Sequence, residues 1–149
     1  MNPIGIPNLA KDLEVSLLSD MNRVEELLRS HIEGEYPLVI ETSRHLVEAG
    51  GKRLRPLLTL LAAQFGNSSN YDIIKAAVCC ELTHLATLYH DDVMDDALLR
   101  RGVMSANSKW GNAVAILTGD YLFSKVSDML ADRKSTRLNS SHVSESRMP

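Results

Sequence analysis

The segment His90 to Asp96, HDDVMDD, closes a helical pattern that begins near Tyr71 and puts four carboxylates within six residues. A helix with such an end limits what the rest of the chain can build around it. Asp91 and Asp95 fall on one face at a spacing of four, and Asp92 and Asp96 repeat the arrangement one step round. Like charges at this spacing cost about 0.2–0.5 kcal/mol per pair, so the bare cluster is a poor structural choice and a cation belongs beside it. Carboxylates projecting from one helix face are hard oxygen ligands. They suit Mg²⁺, which takes one or two of them and keeps its other positions for water and phosphate oxygens. The segment therefore implies a diphosphate site carried on a helix.

The remaining periodicity is helical as well. Leu9, Leu13, Leu17, Met21, Val24, Leu28 and Ile32 recur at intervals of three and four, one stripe of an amphipathic helix that Asn8 is placed to cap. Gly34 and Pro37 break the pattern, and a second helix from about Leu38 to Ala49 stops at Gly50-Gly51, where glycine suits the left-handed position after a helix end. Leu57 to Phe65 reads as an apolar core helix, closed by the turn cluster Gly66 to Asn70. The helix from about Asp72 to Asp96 is about 37 Å long at about 1.5 Å per residue. On it His84, Leu88, Asp91 and Asp95 follow at steps of four, three and four, so His84 shares the aspartate face about 10 Å back along the axis. Ala113 to Met129 is a further helical pattern, with Trp110 and Gly111 before it assigned to packing and chain turning. The pattern predicts a chain of helices over residues 1–132, the first two forming a helical hairpin. From Arg133 the sequence RKSTRLNSSHVSESRMP is serine-rich and without sustained periodicity, and residues 133–149 are expected to be a disordered, non-native tail.

Composition narrows the function. With 44% hydrophobic and 23% charged residues and a formal net charge of −3, the chain lacks the basic excess of an electrostatic nucleic-acid binder. Its two cysteines, Cys79 and Cys80, are adjacent within a helix, which fits buried thiols in a reducing compartment rather than a disulfide framework. No leader-like opening is present, and the apolar run Leu57 to Ala63 is too short to span a bilayer, so a cytoplasmic location is expected.

Two basic clusters flank the acidic helix. GGKRLRP, Gly50 to Pro56, sets Lys52, Arg53 and Arg55 between a helix end and the next helix start, with Pro56 near its first turn. These cations are either solvated charges favoured by the helix dipole or a phosphate pocket, in which arginine grips oxygens bidentately while lysine acts as a mobile point charge. Arg100-Arg101-Gly102 reads as a loop leaving the acidic helix. Alone it is surface charge; beside the aspartates it resembles the second half of a site that neutralises a diphosphate.

With GGKRLRP, ELTHLATLYHDDVMDD, LLRRG and WGNAVAILTGDYLFSK in that order, the sequence resembles the amino-terminal part of a trans-polyprenyl diphosphate synthase from about Leu9 to Ala131. The resemblance implies an all-α fold, an incomplete antiparallel helical bundle of the isoprenoid synthase type, around a deep central cavity. It also implies roles. Asp91 and Asp95, with Asp92 supporting, resemble the aspartate motif whose Mg²⁺ ions bind an allylic prenyl diphosphate, and Arg100 resembles the arginine that also holds that diphosphate. Lys52, Arg55, His84 and Arg101 resemble the pocket for isopentenyl diphosphate. Family members are commonly homodimers.

In this family, bulky residues shortly before the aspartate motif can block the growing tail. The fifth and fourth residues before Asp91 are Ala86 and Thr87, both small, which favours a medium or long product unless neither faces the cavity. The family's second aspartate-rich motif does not occur in these 149 residues. The expectation is negligible prenyltransferase activity for the chain as written, together with apolar faces left exposed where further helices would pack. Two alternatives remain: a terpene cyclase-like fragment, which needs no second diphosphate pocket, and a non-catalytic regulatory subunit of a heteromeric synthase, which has no use for the repelling aspartates.

Overall fold

The computed structural model describes the backbone of residues 4–145 and the side chains of residues 4–132. Six helices account for most of it: α1 (Lys11–His31), α2 (Pro37–Glu48), α3 (Leu54–Ala63), α4 (Asp72–Met94), α5 (Ala106–Trp110) and α6 (Asn112–Glu145). α4 is the axis, packed against α1, α3 and α6, while α6 also meets α2 and α5. Its buried positions, Ile74, Ala77, Val78, Glu81, Leu82, Leu85, Ala86, Tyr89 and Asp92, advance by one and three residues, so more than one face is covered. The expected stripe of α1 is the one that packs. Leu17, Val24, Leu28 and Ile32 are fully buried, and Leu9, Leu13 and Met21 lean on the same core.

Hydrogen bonds fix α2 across α4. The buried Tyr89 hydroxyl donates to the carbonyl oxygens of Thr42 and Ser43 and accepts from Leu46 N at 3.3 Å. Burial pushes the phenol's pKa up, keeping it a donor. Thr118 Oγ1 on α6 bonds Thr42 Oγ1 at 3.0 Å and completes a three-helix junction.

Several local expectations are corrected. Asn8 does not cap α1: it adopts φ +61°, a region asparagine tolerates, and the cap position falls to Ala10 with no side-chain bond. The segment after α4 is a two-stranded antiparallel hairpin rather than a loop, β1 (Leu99–Arg100) with β2 (Val103–Met104). Its two-residue turn has φ +53° at Arg101 and +78° at Gly102, the geometry that matches strand twist in a tight hairpin. Cys80 is exposed rather than buried, beside a half-buried Cys79, and both are free thiols. The backbone of α6 stays helical to Glu145, past the boundary expected near Arg133, and no Gly or Pro interrupts it between Asp120 and Glu145. Residues 146–149 of the expected tail lie outside the described residues.

Trp110 packs on the core and meets the His45 ring edge-on at 4.9 Å, and Gly111 at φ +90° turns the chain into α6, as expected of both. Among the described residues no helix is long and apolar enough to cross a membrane. Large apolar side chains remain exposed, among them Leu58, Leu98 and Leu117.

Candidate active site

The acidic end of α4 divides its aspartates between two environments. The helix continues through the motif, with Asp95 N bonded to Asp91 O at 2.8 Å, so Asp91 and Asp95 stand one turn apart on the same face. Among the described residues no hydrogen bond or ion pair engages either carboxylate. The last turn carries no basic residue, and the helix C-terminus is the negative end of the dipole, so charge repulsion and dipole both call for a cation there. Asp92 and Asp96 do not form the second face pair expected of them. Asp96 leaves the helix at φ +48°, and Asp92 turns into the core, fully buried.

Arg100 follows Asp92 inward. From β1 its Nε and Nη2 both donate to Asp92 Oδ1, at 2.9 and 2.5 Å, and this bond raises the guanidinium's pKa. Asp92 Oδ2 is buried without a hydrogen-bond partner, an unsatisfied acceptor at the base of the motif. No three His, Cys, Asp or Glu side chains converge as a closed metal cage among the described residues. Two open carboxylates one helical turn apart, Asp91 and Asp95, are nonetheless a donor set that a partly hydrated Mg²⁺ accepts.

The predicted basic residues meet in one place. A cavity of about 350 Å³ is lined by Gly51, Lys52, Arg53, Leu54, Arg55, Glu81, His84 and Arg101. Lys52 and Arg55 are exposed at it. The His84 pKa is lowered by burial and then by the nearby Arg55 guanidinium, so at neutral pH its ring is an uncharged hydrogen-bonding group. Arg101, at the hairpin turn, donates through Nη1 to the carbonyl oxygens of Leu46, at 2.8 Å, and Gly50, capping the end of α2. Gly51, at φ +140°, leaves it room: a Cβ there would sit 2.9 Å from Arg101 Cζ.

Ala86 is fully buried in the core, and Thr87 is half-buried with its hydroxyl donated to His84 O at 2.6 Å. Neither lines the apolar groove of about 500 Å³ between α3, α4 and α6, whose walls include Leu58, Cys80, Thr83 and Val126. Three residues at the site have no individual role in the sequence reading: the buried pair Arg53 and Glu81, and His90. Glu81 was accessible to it, since it precedes His84 by three and extends the His84-Asp91-Asp95 face backwards. His90 Nε2 donates to Ile116 O at 3.0 Å and lies 3.3 Å from Asp120 Oδ1, its ring filling the space beside Gly119.

Comparison with known proteins identifies the family and the fold. The family model for polyprenyl synthetase matches residues 36–146. The chain is 46% identical over 116 residues to heptaprenyl diphosphate synthase component 2 of Geobacillus stearothermophilus, covering 78% of this chain and 36% of that one. It is 48% identical over 110 residues to nonaprenyl diphosphate synthase of Mycobacterium tuberculosis, covering 73% and 33%. Among solved structures, a decaprenyl diphosphate synthase from Rhodobacter capsulatus superposes with a TM-score of 0.77 at 40% identity, covering 87% of this chain and 40% of that one. A polyprenyl synthase from Caulobacter crescentus, complexed with calcium and isoprenyl diphosphate, gives 0.76 at 36% identity, covering 89% and 40%. The chain thus spans between a third and two-fifths of the length of these relatives, and over that span it belongs to the polyprenyl synthetase family.

Proposed function

We propose that the chain carries the substrate-ionising wall and the isopentenyl diphosphate pocket of a prenyltransferase that extends an allylic prenyl diphosphate by one isopentenyl unit. The observation that carries this reading is the hairpin dipeptide Arg100-Arg101. One arginine is fixed to the acidic end of α4, and its neighbour lines the basic cavity, so two anion sites of different construction lie side by side. A cyclase, which handles one diphosphate, has no use for the second. The aspartates, in turn, speak against a non-catalytic subunit.

Asp91 and Asp95 would hold Mg²⁺, which when bound neutralises the allylic diphosphate and makes it a better leaving group. Arg100, oriented by Asp92, adds a fixed cation where charge develops as the allylic C–O bond breaks. Lys52 and Arg55 hold the second diphosphate, with neutral His84 supplying a hydrogen bond and Arg101 closing the cavity wall. The isopentenyl double bond then attacks C1 of the allylic cation, and a proton passes to the released diphosphate as the new alkene forms. Small side chains at Ala86 and Thr87 lean the product toward medium or long chains if the growing tail reaches them, although neither lines the apolar groove between α3, α4 and α6. The assembly proposed is a homodimer.

These residues contain one aspartate-rich motif, so the 149-residue chain is expected to bind isopentenyl diphosphate but turn it over negligibly. Calorimetry and a condensation assay with Mg²⁺ and both diphosphates test this. Robust turnover would refute the inactivity, and allylic diphosphate binding without isopentenyl diphosphate binding would favour the cyclase.

A further inference from the structure

The three cations between α2 and α3 do not share one task. Lys52 and Arg55 are exposed at the cavity, whereas Arg53 between them is 8% exposed and turns inward. Its φ of +48° lies in the left-handed region, which is sterically unfavourable for a non-glycine residue. Such a conformation persists where its surroundings over-determine it. Here the surroundings are acceptors on α1, at the end of α2 and on α4. Nε donates to Glu25 Oε1 at 2.5 Å, Nη2 to Val47 O at 3.1 Å, and Nη1 to Gly50 O and Glu81 Oε1, both at 3.3 Å. Glu81 is 2% exposed, and its Oε1 also lies 4.0 Å from Arg101 Nη2, so one buried carboxylate ties both arginines into the cavity wall.

We propose that Arg53 is a positioning residue for the basic cavity: anchored to Glu25, Glu81, Val47 and Gly50, it holds its own backbone left-handed and thereby turns its neighbours Lys52 and Arg55 toward the bound diphosphate. This rests on the assignment of the cavity to isopentenyl diphosphate. Arg53 acts through its neighbours and spends its own donors on protein acceptors. A planar fork reaches acceptors on separate elements at once, whereas a lysine radiates its donors from a single nitrogen.

The test compares the 149-residue chain with Arg53→Gly, which keeps the left-handed turn and loses the fork, and Arg53→Lys, which keeps the charge. Isopentenyl diphosphate is titrated by calorimetry, Mn²⁺ binding at Asp91 and Asp95 is followed by electron paramagnetic resonance, and folding is followed by circular dichroism. Both variants are expected to bind isopentenyl diphosphate about tenfold or more weakly, with Mn²⁺ affinity unchanged. A folded variant with the wild-type Kd, even at a lowered Tm, would reduce Arg53 to a stabilising residue and overturn the proposal. Glu81→Gln, nearly isosteric, removes the charge of one of the four anchors and is expected to show a smaller loss of the same selectivity; wild-type affinity there counts against the proposal too. If the wild type itself binds no isopentenyl diphosphate, the pocket assignment falls, and hydrogen exchange over residues 50–57 reads the clamp directly. Faster exchange in both Arg53 variants supports it, and unchanged exchange overturns it.

Discussion

Gly119→Ala should destabilise this protein, against the ordinary preference of a helix. Inside a helix, alanine is favoured over glycine by about 1 kcal/mol. At Gly119 the added Cβ would lie 2.4 Å from His90 Nε2, 2.5 Å from His90 Cδ2 and 3.1 Å from Ala86 O. The first two distances are untenable, so the imidazole must swing away, giving up its bond to Ile116 O and its contact with Asp120. The third involves the backbone of α4, which must move by a few tenths of an ångström. A lost hydrogen bond of about 1 kcal/mol and overpacking of about 1–3 kcal/mol outweigh the gain in propensity, for a net loss of about 1–3 kcal/mol. That corresponds to a fall in Tm of roughly 2 to 12 °C for a chain of this size. Thermal melts of wild type, Gly119→Ala, His90→Ala and the double variant form a cycle. Because removing the ring makes room for the methyl group, the double variant should be more stable than the sum of the two single losses by about 1 kcal/mol. An unchanged or raised Tm for Gly119→Ala, or strict additivity in the cycle, would refute the packing argument.

The aspartates should separate by role. Asp92→Ala, which strands Arg100, should cost about 1–3 kcal/mol, toward the low end because that arginine reaches solvent, whereas Asp95→Ala should raise stability by about 0.3 kcal/mol while abolishing divalent-ion binding; melts with and without Mg²⁺ distinguish the two. Stability should fall as pH drops below about 6.5, because the unfolded chain binds a proton at His84 that the folded chain resists, chiefly through burial and then Arg55. His31, lowered by burial and then Lys125, acts in the same direction, so His84→Gln should make the loss between about pH 7 and 5 shallower without removing it, as equilibrium urea unfolding would show. Ala86→Phe, in a synthase of the relatives' full length carrying these helices, should shorten the prenyl product, and an unchanged product by chromatography would remove Ala86 from chain-length control.

Much of this protein is legible without coordinates because the informative signals are local. The stripe from Leu9 to Ile32 needs only the helical period to be read as one buried face, and its fully buried members are among the residues the period selects. Asp91 and Asp95 share a face for the same reason, whereas Lys52, Arg55, His84 and Arg101 stand out as a set only through the resemblance of their motifs to those of the polyprenyl synthases. What the period cannot convey is which side of a helix becomes interior, since that depends on neighbours distant in the chain. Asp92 and Asp95 are alike as letters, yet one is buried under Arg100 and the other exposed, because β1 approaches α4 from one side. Likewise Lys52, Arg53 and Arg55 read as one basic run. Only the meeting of α1, α2 and α4 supplies the acceptors that draw Arg53 inward and leave the other two at the cavity, since burying a guanidinium requires partners that no local sequence provides.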